Sequence, residues 1–429
     1  MKLAIIADDL TGANDSGVQL SRNGMKTTVL FDMDESRIGS YEAVAFDTDS
    51  RSVKADEAYR RVNAAARFLL DAGFRNIFKK VDSTMRGNIG AEIDALYDAL
   101  KPDFVMFAPG YPKNNRTVLD SMLYLDGVPV GETEIAKDPK TPVTLSYLPD
   151  LLGKQTKRSI GTLTADDLVR GRAHIWSKLE QYRRDEVTYL VIDSTEERQL
   201  EQILADVKKA PYRLAWAGSA GLANYLPAYY ELPSKPQRLE IEINRGPVLT
   251  VIGSVNRNSR AQLRHLLDGA DVHAIPFESW KAVASGGEQE REIGRVYREA
   301  LEAAERGRDV VIYSTGSPEH IEEAWRVGEA AGLDRTEISN EIVKALGAVC
   351  APLLEENRFK GVSMSGGDTA KQICLRWGIK GFELLDELEI GVPISTFLGK
   401  EDLYVITKAG GFGTDRVFIH AMERLKGEN

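Results

Sequence analysis

The sequence predicts an α/β protein of two domains, each with a largely parallel sheet flanked by helices. Three observations carry this expectation. Short apolar runs alternate with amphipathic stretches along the chain, and many runs lead into Gly, Ser or Asp and then a helical pattern, the order of βα units. At 429 residues the chain exceeds one ordinary core, so two domains of about 200 residues each are expected. The stretch "YYELPSKPQRLEIEINRGP", Tyr229 to Pro247, holds three prolines between a helical segment and a new strand. It sets a linker at residues 231–244, a first domain at 1–230 and a second at 245–429.

In order, the candidate strands are Leu3–Ala7, Thr27–Phe31, Ala43–Phe46, Asn76–Lys80, Phe104–Ala108, Tyr189–Ile192, Leu214–Trp216, Val248–Ile252, Val310–Tyr313, Gly361–Ser365 and Leu403–Thr407. Residues 55–72 read as a long helix, because Ala58, Val62, Ala65, Ala66, Leu69 and Leu70 recur on one face. Residues 287–306 read as a more charged helix with a solvated face. The stretch from Gly127 to Lys157 has four prolines and is too long for a routine connection. It is either an active-site flap or an interface arm, and the second reading makes a homodimer possible.

Composition narrows the function. A formal charge of −10 argues against nucleic acid and anionic membranes as partners. No apolar run approaches the roughly 18 residues of a membrane span, and "MKLAIIADD" lacks a signal-peptide layout, so the expected location is cytoplasmic. The two cysteines, Cys350 and Cys374, form no CxxC motif and read as buried thiols. The five histidines are scattered, without metal-ligand spacing.

Chemistry gathers at strand ends. "LAIIADDLTGANDSGVQL" places Asp8 and Asp9 where a strand meets a helix, with Asp15 further along. Open α/β sheets bind ligands at that edge, and two adjacent acids exceed what helix capping needs. "FDTDSRSVKADEA" adds Arg51, a residue type that takes carboxylates in a bidentate fork. "FKKVDSTMRGNIGAEI" delivers Lys79, Lys80, Val81, Asp82, Ser83, Thr84 and Arg86 ahead of a helix. Cations for a carboxylate, with acids and hydroxyls for hydroxyl groups, suit a polyhydroxylated acid. "FAPGYPKNNRT" and "AWAGSAGLANYL" are weaker candidates that packing alone could explain.

In the second half, "VIGSVNRNS", "SMSGGDTAKQ" and "TKAGGFGTDR" each put glycines between a strand and a helix. Glycine admits a phosphate close to the backbone, and the helix N-terminus supplies N–H donors. Three such turns point to a nucleotide site built from Ser254, Gly366, Gly367, Asp368, Thr369, Gly410, Gly411 and Gly413. Neither a Walker loop nor a GxGxxG fingerprint occurs, so the cradle is of another kind and a dehydrogenase is disfavoured. "STGSP", Ser314 to Pro318, is either a helix start or a ligand loop.

Taken together, "IADDLTGANDSGVQL", "DTDSR", "KKVDSTMRGNIGAEI", "SGGDTA" and "TKAGGFG" resemble the signatures of the four-carbon acid sugar kinases, from Leu3 to about Phe418. The first of these and "DPKTPV", Asp138 to Val143, look closest to the D-threonate kinase branch. The resemblance implies an N-terminal acid-sugar-binding domain, a C-terminal ATP-binding domain and an active site in the cleft between them. It implies ATP-dependent phosphorylation of the 4-hydroxyl of D-threonate, with D-erythronate or a 3-oxo-tetronate as alternatives. It carries substrate contact onto Asp9, Arg51 and Lys80–Thr84, and nucleotide contact onto Ser254, Gly366–Thr369 and the glycines of "AGGFG". Asp9 is then the candidate for holding or deprotonating the hydroxyl, with Asp82 competing. Mg²⁺ is expected, and Asp368 and Asp415 are its nearest candidate ligands. Asp415 follows glycines before a helix, as the catalytic Asp does in ribokinase-like sugar kinases. A non-catalytic sugar-acid sensor would need the first constellation but not the three glycine turns.

Overall fold

The computed structural model describes residues 2–34, 38–138, 140–232, 239–243 and 246–428. It divides into two compact units, Met1–Gln237 and Arg238–Asn429. Half of the expected linker at 231–244, residues 233–238 and 244, lies outside the described residues.

The strands of the first unit are β1 Leu3–Ala7, β2 Thr27–Leu30, β3 Ala43–Asp47, β4 Asn76–Lys80, β5 Phe104–Ala108, β6 Arg116–Leu119, β7 Met122–Leu125, β8 Val128–Pro129, β9 Ile160–Leu163, β10 Tyr189–Ile192 and β11 Leu214–Gly218. Among the described residues, the main sheet runs β2-β3-β1-β4-β11-β5-β10-β9, and every pairing is parallel. Parallel strands are covered on both faces, which is why β1, β3 and β5 are apolar runs buried throughout. The helix Ala55–Asp71 buries Ala58, Val62, Ala65, Ala66 and Leu69, the face expected from their spacing. The chain leaves β1 toward β2 on one side and leaves β4 toward β5 on the other. The carboxyl ends of β1 and β4 are therefore a switch point, where an open sheet leaves room for a ligand.

The strands of the second unit are β12 Val248–Ile252, β13 His273–Phe277, β14 Val310–Ser314, β15 Gly361–Ser365, β16 Gly381–Glu389, β17 Val392–Phe397 and β18 Lys400–Lys408. They run β13-β14-β12-β15-β18-β17-β16, parallel as far as β18 and antiparallel across β17 and β16. Here the switch point falls between β12 and β15, whose connections also leave in opposite directions.

The stretch from Gly127 to Lys157 is more ordered than expected. The small antiparallel sheet β6-β7-β8 leads into it, two 3₁₀ turns follow at Val130–Glu132 and Glu134–Lys137, and the helix Leu148–Gly153 closes it. Asp193 anchors the β6–β7 turn by accepting the Asp120 and Ser121 N–H groups, each at 2.8 Å. No described helix is long and apolar enough to cross a membrane.

Candidate active site

The first unit gathers its charge at the carboxyl ends of β1, β3 and β4. Asp9 ends the β1 turn and caps the helix Leu10–Arg22, its Oδ1 accepting the Gly12 N–H at 2.7 Å. Arg51, in the polar turn that follows β3, reaches back over β1. Its Nε and Nη2 donate to the two oxygens of Asp8 at 2.7 and 3.1 Å. Its Nη1 meets Asp9 Oδ2 at 2.5 Å, and Nη2 lies 3.5 Å from Asp82 Oδ1. The guanidinium expected to fork onto a substrate is thus already shared among three carboxylates.

Asp82, past the end of β4, is held more tightly. Arg86 grips both its oxygens, at 2.9 and 3.1 Å, and the Thr84 hydroxyl donates to Oδ2 at 2.5 Å. Arg86 extends the chain of charges to Asp138 at 3.4 Å. That carboxylate also accepts the Lys140 and Thr141 N–H groups, so the 138–141 loop is tied to the site. A cavity of about 290 Å³ opens beside Arg51, between the loop of Met85, Gly87 and Asn88 and the segment from Lys140 to Leu145. The flap reading of this stretch fits that position.

Lys80 is different. It is buried at 4% exposure, yet its ammonium makes no hydrogen bond or ion pair to any described residue. It converges with the acids around the bare face of Gly12, where an added Cβ would lie 2.9 Å from both Lys80 Nζ and Asp9 Oδ1 and 3.5 Å from Asp8 Oδ1. A desolvated cation without a hydrogen-bonded partner is expensive unless a ligand supplies the anion. Ser83 lies partly exposed in the same loop, while Val81 is buried and serves through its backbone, donating to Gly218 O at 2.8 Å.

The electrostatics separate the three acids. Burial raises all of them, but the guanidinium of Arg51, with Lys79 and Lys80 behind it, holds Asp8 below the usual carboxylate range. Burial also opposes the charge on Asp82, and Arg86, Arg51 and Thr84 outweigh it, holding that carboxyl well below the usual range. At Asp9, burial together with the neighbouring charges of Asp8 and Asp82 prevails over Arg51 and Lys80, and the carboxyl is pushed up. Asp9 is also the more open of the two base candidates, with its side chain 25% exposed against 10% for Asp82.

Beneath this layer lies a dry network. Lys79 and Glu92 pair at 2.9 Å with essentially no exposure, Lys79 also donates to Ile6 O and Lys80 O, and the Ser50 hydroxyl donates to Glu92 at 2.6 Å. It fixes the ends of β1 and β4 and the turn carrying Arg51. Asp15 is buried on the capped helix, and its charge, like that of Asp82, is felt by Arg116. The glycines of "AWAGSAG" are packing devices, since a Cβ on Gly218 would strike the Ala108 carbonyl and one on Gly221 would lie 2.9 Å from Gly110 O.

In the second unit the glycine turns do converge. A Cβ on Gly253 would collide with Thr369 Oγ1, one on Gly366 would come within 3.2 Å of that same oxygen, and one on Gly410 would crowd Ser254 Oγ. Gly366 has φ +106°, a conformation open to glycine, and leads into Gly367 at the start of the helix Gly367–Arg376. Gly411 faces open space, and Gly413, at φ +82°, packs on Val417. Gln262 pins the turn by donating to the carbonyls of Phe412, Gly413 and Thr414 at 2.9 to 3.1 Å. "STGSP" is a helix start: Ser317 caps the helix Pro318–Ala330.

The candidate metal ligands Asp368 and Asp415 are both exposed, and Asp415 lies 3.9 Å from His265. Among the described residues there is no group of three His, Cys, Asp or Glu side chains that could enclose a metal. The donor set fits Mg²⁺ only as an ion carried on nucleotide phosphates, with Asp368, beside the glycine turn, as a carboxylate at hand.

Comparison with known proteins decides the family. Residues 3–226 match a sugar-binding N-terminal domain and residues 249–418 a nucleotide-binding C-terminal domain. A D-threonate kinase from Salmonella typhimurium is 31% identical over 98% of both chains. The chain belongs to the four-carbon acid sugar kinases. A D-erythronate kinase from Heliobacterium modesticaldum is 29% identical over 92% of this chain and 89% of its own. A 3-oxo-tetronate kinase from Cupriavidus necator is 28% identical over 99% of this chain and 97% of its own. Among solved structures, a Salmonella typhimurium protein described as a putative tRNA synthase superposes with TM-score 0.82 at 26% identity, over 99% of both chains.

In this four-carbon acid sugar kinase, two features escaped sequence reasoning. One is the Lys79–Glu92 pair: Lys79 reads as one of the strand-end cations for a ligand, and nothing in the spacing joins it to a Glu on the following helix. The other is Lys408, at the end of β18. The signal that could have found it is a lone Lys closing an apolar run, "YVITK", directly before glycines.

Proposed function

We propose that this protein transfers the γ-phosphoryl group of ATP to the 4-hydroxyl of a four-carbon sugar acid, with D-threonate as first candidate. The observation that carries the reading is the buried ammonium of Lys80, without a hydrogen bond to any described residue, beside Asp9 at the β1/β4 switch point. That arrangement asks for a small ligand bearing both a negative charge and hydroxyls. On this reading the unit Met1–Gln237 binds the acid sugar and the unit Arg238–Asn429 binds the nucleotide.

Lys80 takes the substrate's negative group. Arg51, shared among Asp8, Asp9 and Asp82, offsets the mutual repulsion of these acids. Asp9 accepts the proton of the attacking hydroxyl, because its basicity is raised and its side chain is accessible. Asp82 positions rather than deprotonates, since Arg86, Arg51 and Thr84 hold its carboxyl well below the usual range and so make it a weak base. Ser254, the Gly366–Thr369 turn and Gly410 seat the phosphates. Mg²⁺, carried on the nucleotide with Asp368 nearby, would supply the charge neutralisation that phosphoryl transfer needs.

The test is ADP release with ATP and Mg²⁺ across a panel of four-carbon sugar acids. The reading expects the highest kcat/KM with D-threonate. A preference for D-erythronate or a 3-oxo-tetronate would keep the reaction and change the substrate. ADP bound without turnover of any acid would leave a sensor.

A further inference from the structure

Lys408 is a buried, titratable group that the mechanism above does not use. It ends β18, is 4% exposed, and stands at the meeting point of three elements of the nucleotide unit. Its Nζ donates to Ser259 Oγ at 3.3 Å, on the helix Arg257–Gly269, and to Ser365 Oγ at 3.4 Å, at the end of β15. It also donates to Gly410 O at 3.4 Å, in the glycine turn. Ser259 closes the triangle, donating to Gly410 O at 2.9 Å and lying 3.3 Å from Ser365 Oγ. Among the described residues, no carboxylate pairs with the amine. The charge that acts on it from nearby is Glu389, which is engaged with Thr414 and His420.

Three long bonds to neutral groups and the Phe418 ring, 5.3 Å from Nζ to its centroid, compensate a buried ammonium only in part. Burial accordingly pushes its pKa down to about 7. A plain anchor for the turn would be better served by an Asn or Gln, as Gln262 serves Phe412–Thr414. An ammonium adds what an amide lacks, a positive charge under the glycine turn. Gly410 is the link: its carbonyl is held by Lys408 and Ser259 while its Cα faces Ser254 Oγ across the cradle.

We propose that Lys408 is a positioning residue of the nucleotide site, fixing the Gly410 turn against Ser365 and placing its charge beneath the phosphates of the bound nucleotide. This rests on the nucleotide-binding reading of the second unit.

The experiment measures ADP and adenosine affinity of the whole protein by calorimetry or competition, for wild type, Lys408→Met and Ser259→Ala. Lys408→Met should weaken ADP about tenfold or more, the scale of one charge-assisted bond, and leave adenosine within about twofold. A merely structural role would weaken both ligands together. Ser259→Ala keeps the amine, is mild enough to fold should the first variant not, and should weaken ADP about threefold with adenosine unchanged. ADP affinity within about twofold of wild type in the variants that fold overturns the proposal alone. Equal losses for ADP and adenosine also overturn it. Failure of the wild-type protein to bind ADP overturns both it and the nucleotide reading beneath it.

Discussion

Asp9 and Asp82 lie within reach of one guanidinium, yet their surroundings give them opposite characters. Asp82 spends its oxygens on Arg86 and Thr84 and stays ionised far into acid. Asp9 engages one oxygen with the Gly12 N–H and the other with Arg51, yet burial and the neighbouring acids push it upward, and its side chain retains access to solvent. A base must be ionised to accept a proton, and a raised pKa brings its acid limb closer to neutrality. Activity should therefore be full above the Asp9 pKa and fall as pH drops through it, at a higher pH than for an ordinary carboxylate. Asp9→Asn should lower kcat by about 10²-fold or more and abolish that limb, within the range of general-base losses. Asp82→Asn should act mainly on sugar-acid KM and keep the limb. Steady-state kinetics of both variants across pH separate the roles, and a reversed pattern assigns the base to Asp82.

At the scale of elements, the Lys79–Glu92 pair joins β4 to the helix Ile89–Leu100 and, through Ser50, to the turn carrying Arg51. Removing one partner leaves an uncompensated charge in a dry site, at a cost of about 3–5 kcal/mol. Glu92→Leu should lower the unfolding free energy by that amount in urea titrations, whereas Lys79→Met with Glu92→Leu together should recover much of the loss. The sequence shows the central parallel strands well, because β1, β5 and β12 are largely apolar runs and β4 and β15, though more polar, lead into turn residues and a helix. It hides β9, β13, β16 and β17. β9 and β13 are edge strands with partly exposed residues, β13 carries a His and a Pro, and β16 is rich in acids because much of it is only half-buried. The β6–β7 hairpin is hidden because its turn places Asp120 and Ser121 at positive φ, a conformation usually signalled by Asn or Gly. The site itself was legible as residue types at strand ends. Its wiring was not, since a sequence does not tell that Arg51 is shared among acids while the buried Lys80 ammonium makes no hydrogen bond to any described residue.

For the molecule as a whole, sugar-acid and nucleotide chemistry are assigned to different units, and each has a glycine whose Cβ would displace side chains of the site. Gly12→Ala would push a methyl between Lys80 and Asp9, and Gly253→Ala would push one into Thr369. Gly12→Ala should raise the dissociation constant of D-threonate by about tenfold or more and leave that of ADP within about twofold; Gly253→Ala should do the reverse. Calorimetric titration of each variant with each ligand checks the division, and a variant that weakens both equally would contradict it. The proposed function turns on transfer of the phosphoryl group to the hydroxyl of a terminal carbon. The most direct measurement is the proton-coupled ³¹P spectrum of the product formed from ATP and D-threonate. The account predicts a phosphate monoester split by the two hydrogens of a CH₂ group, formed in step with ADP. A resonance split by a single CH hydrogen, or ADP accompanied only by inorganic phosphate, would contradict it.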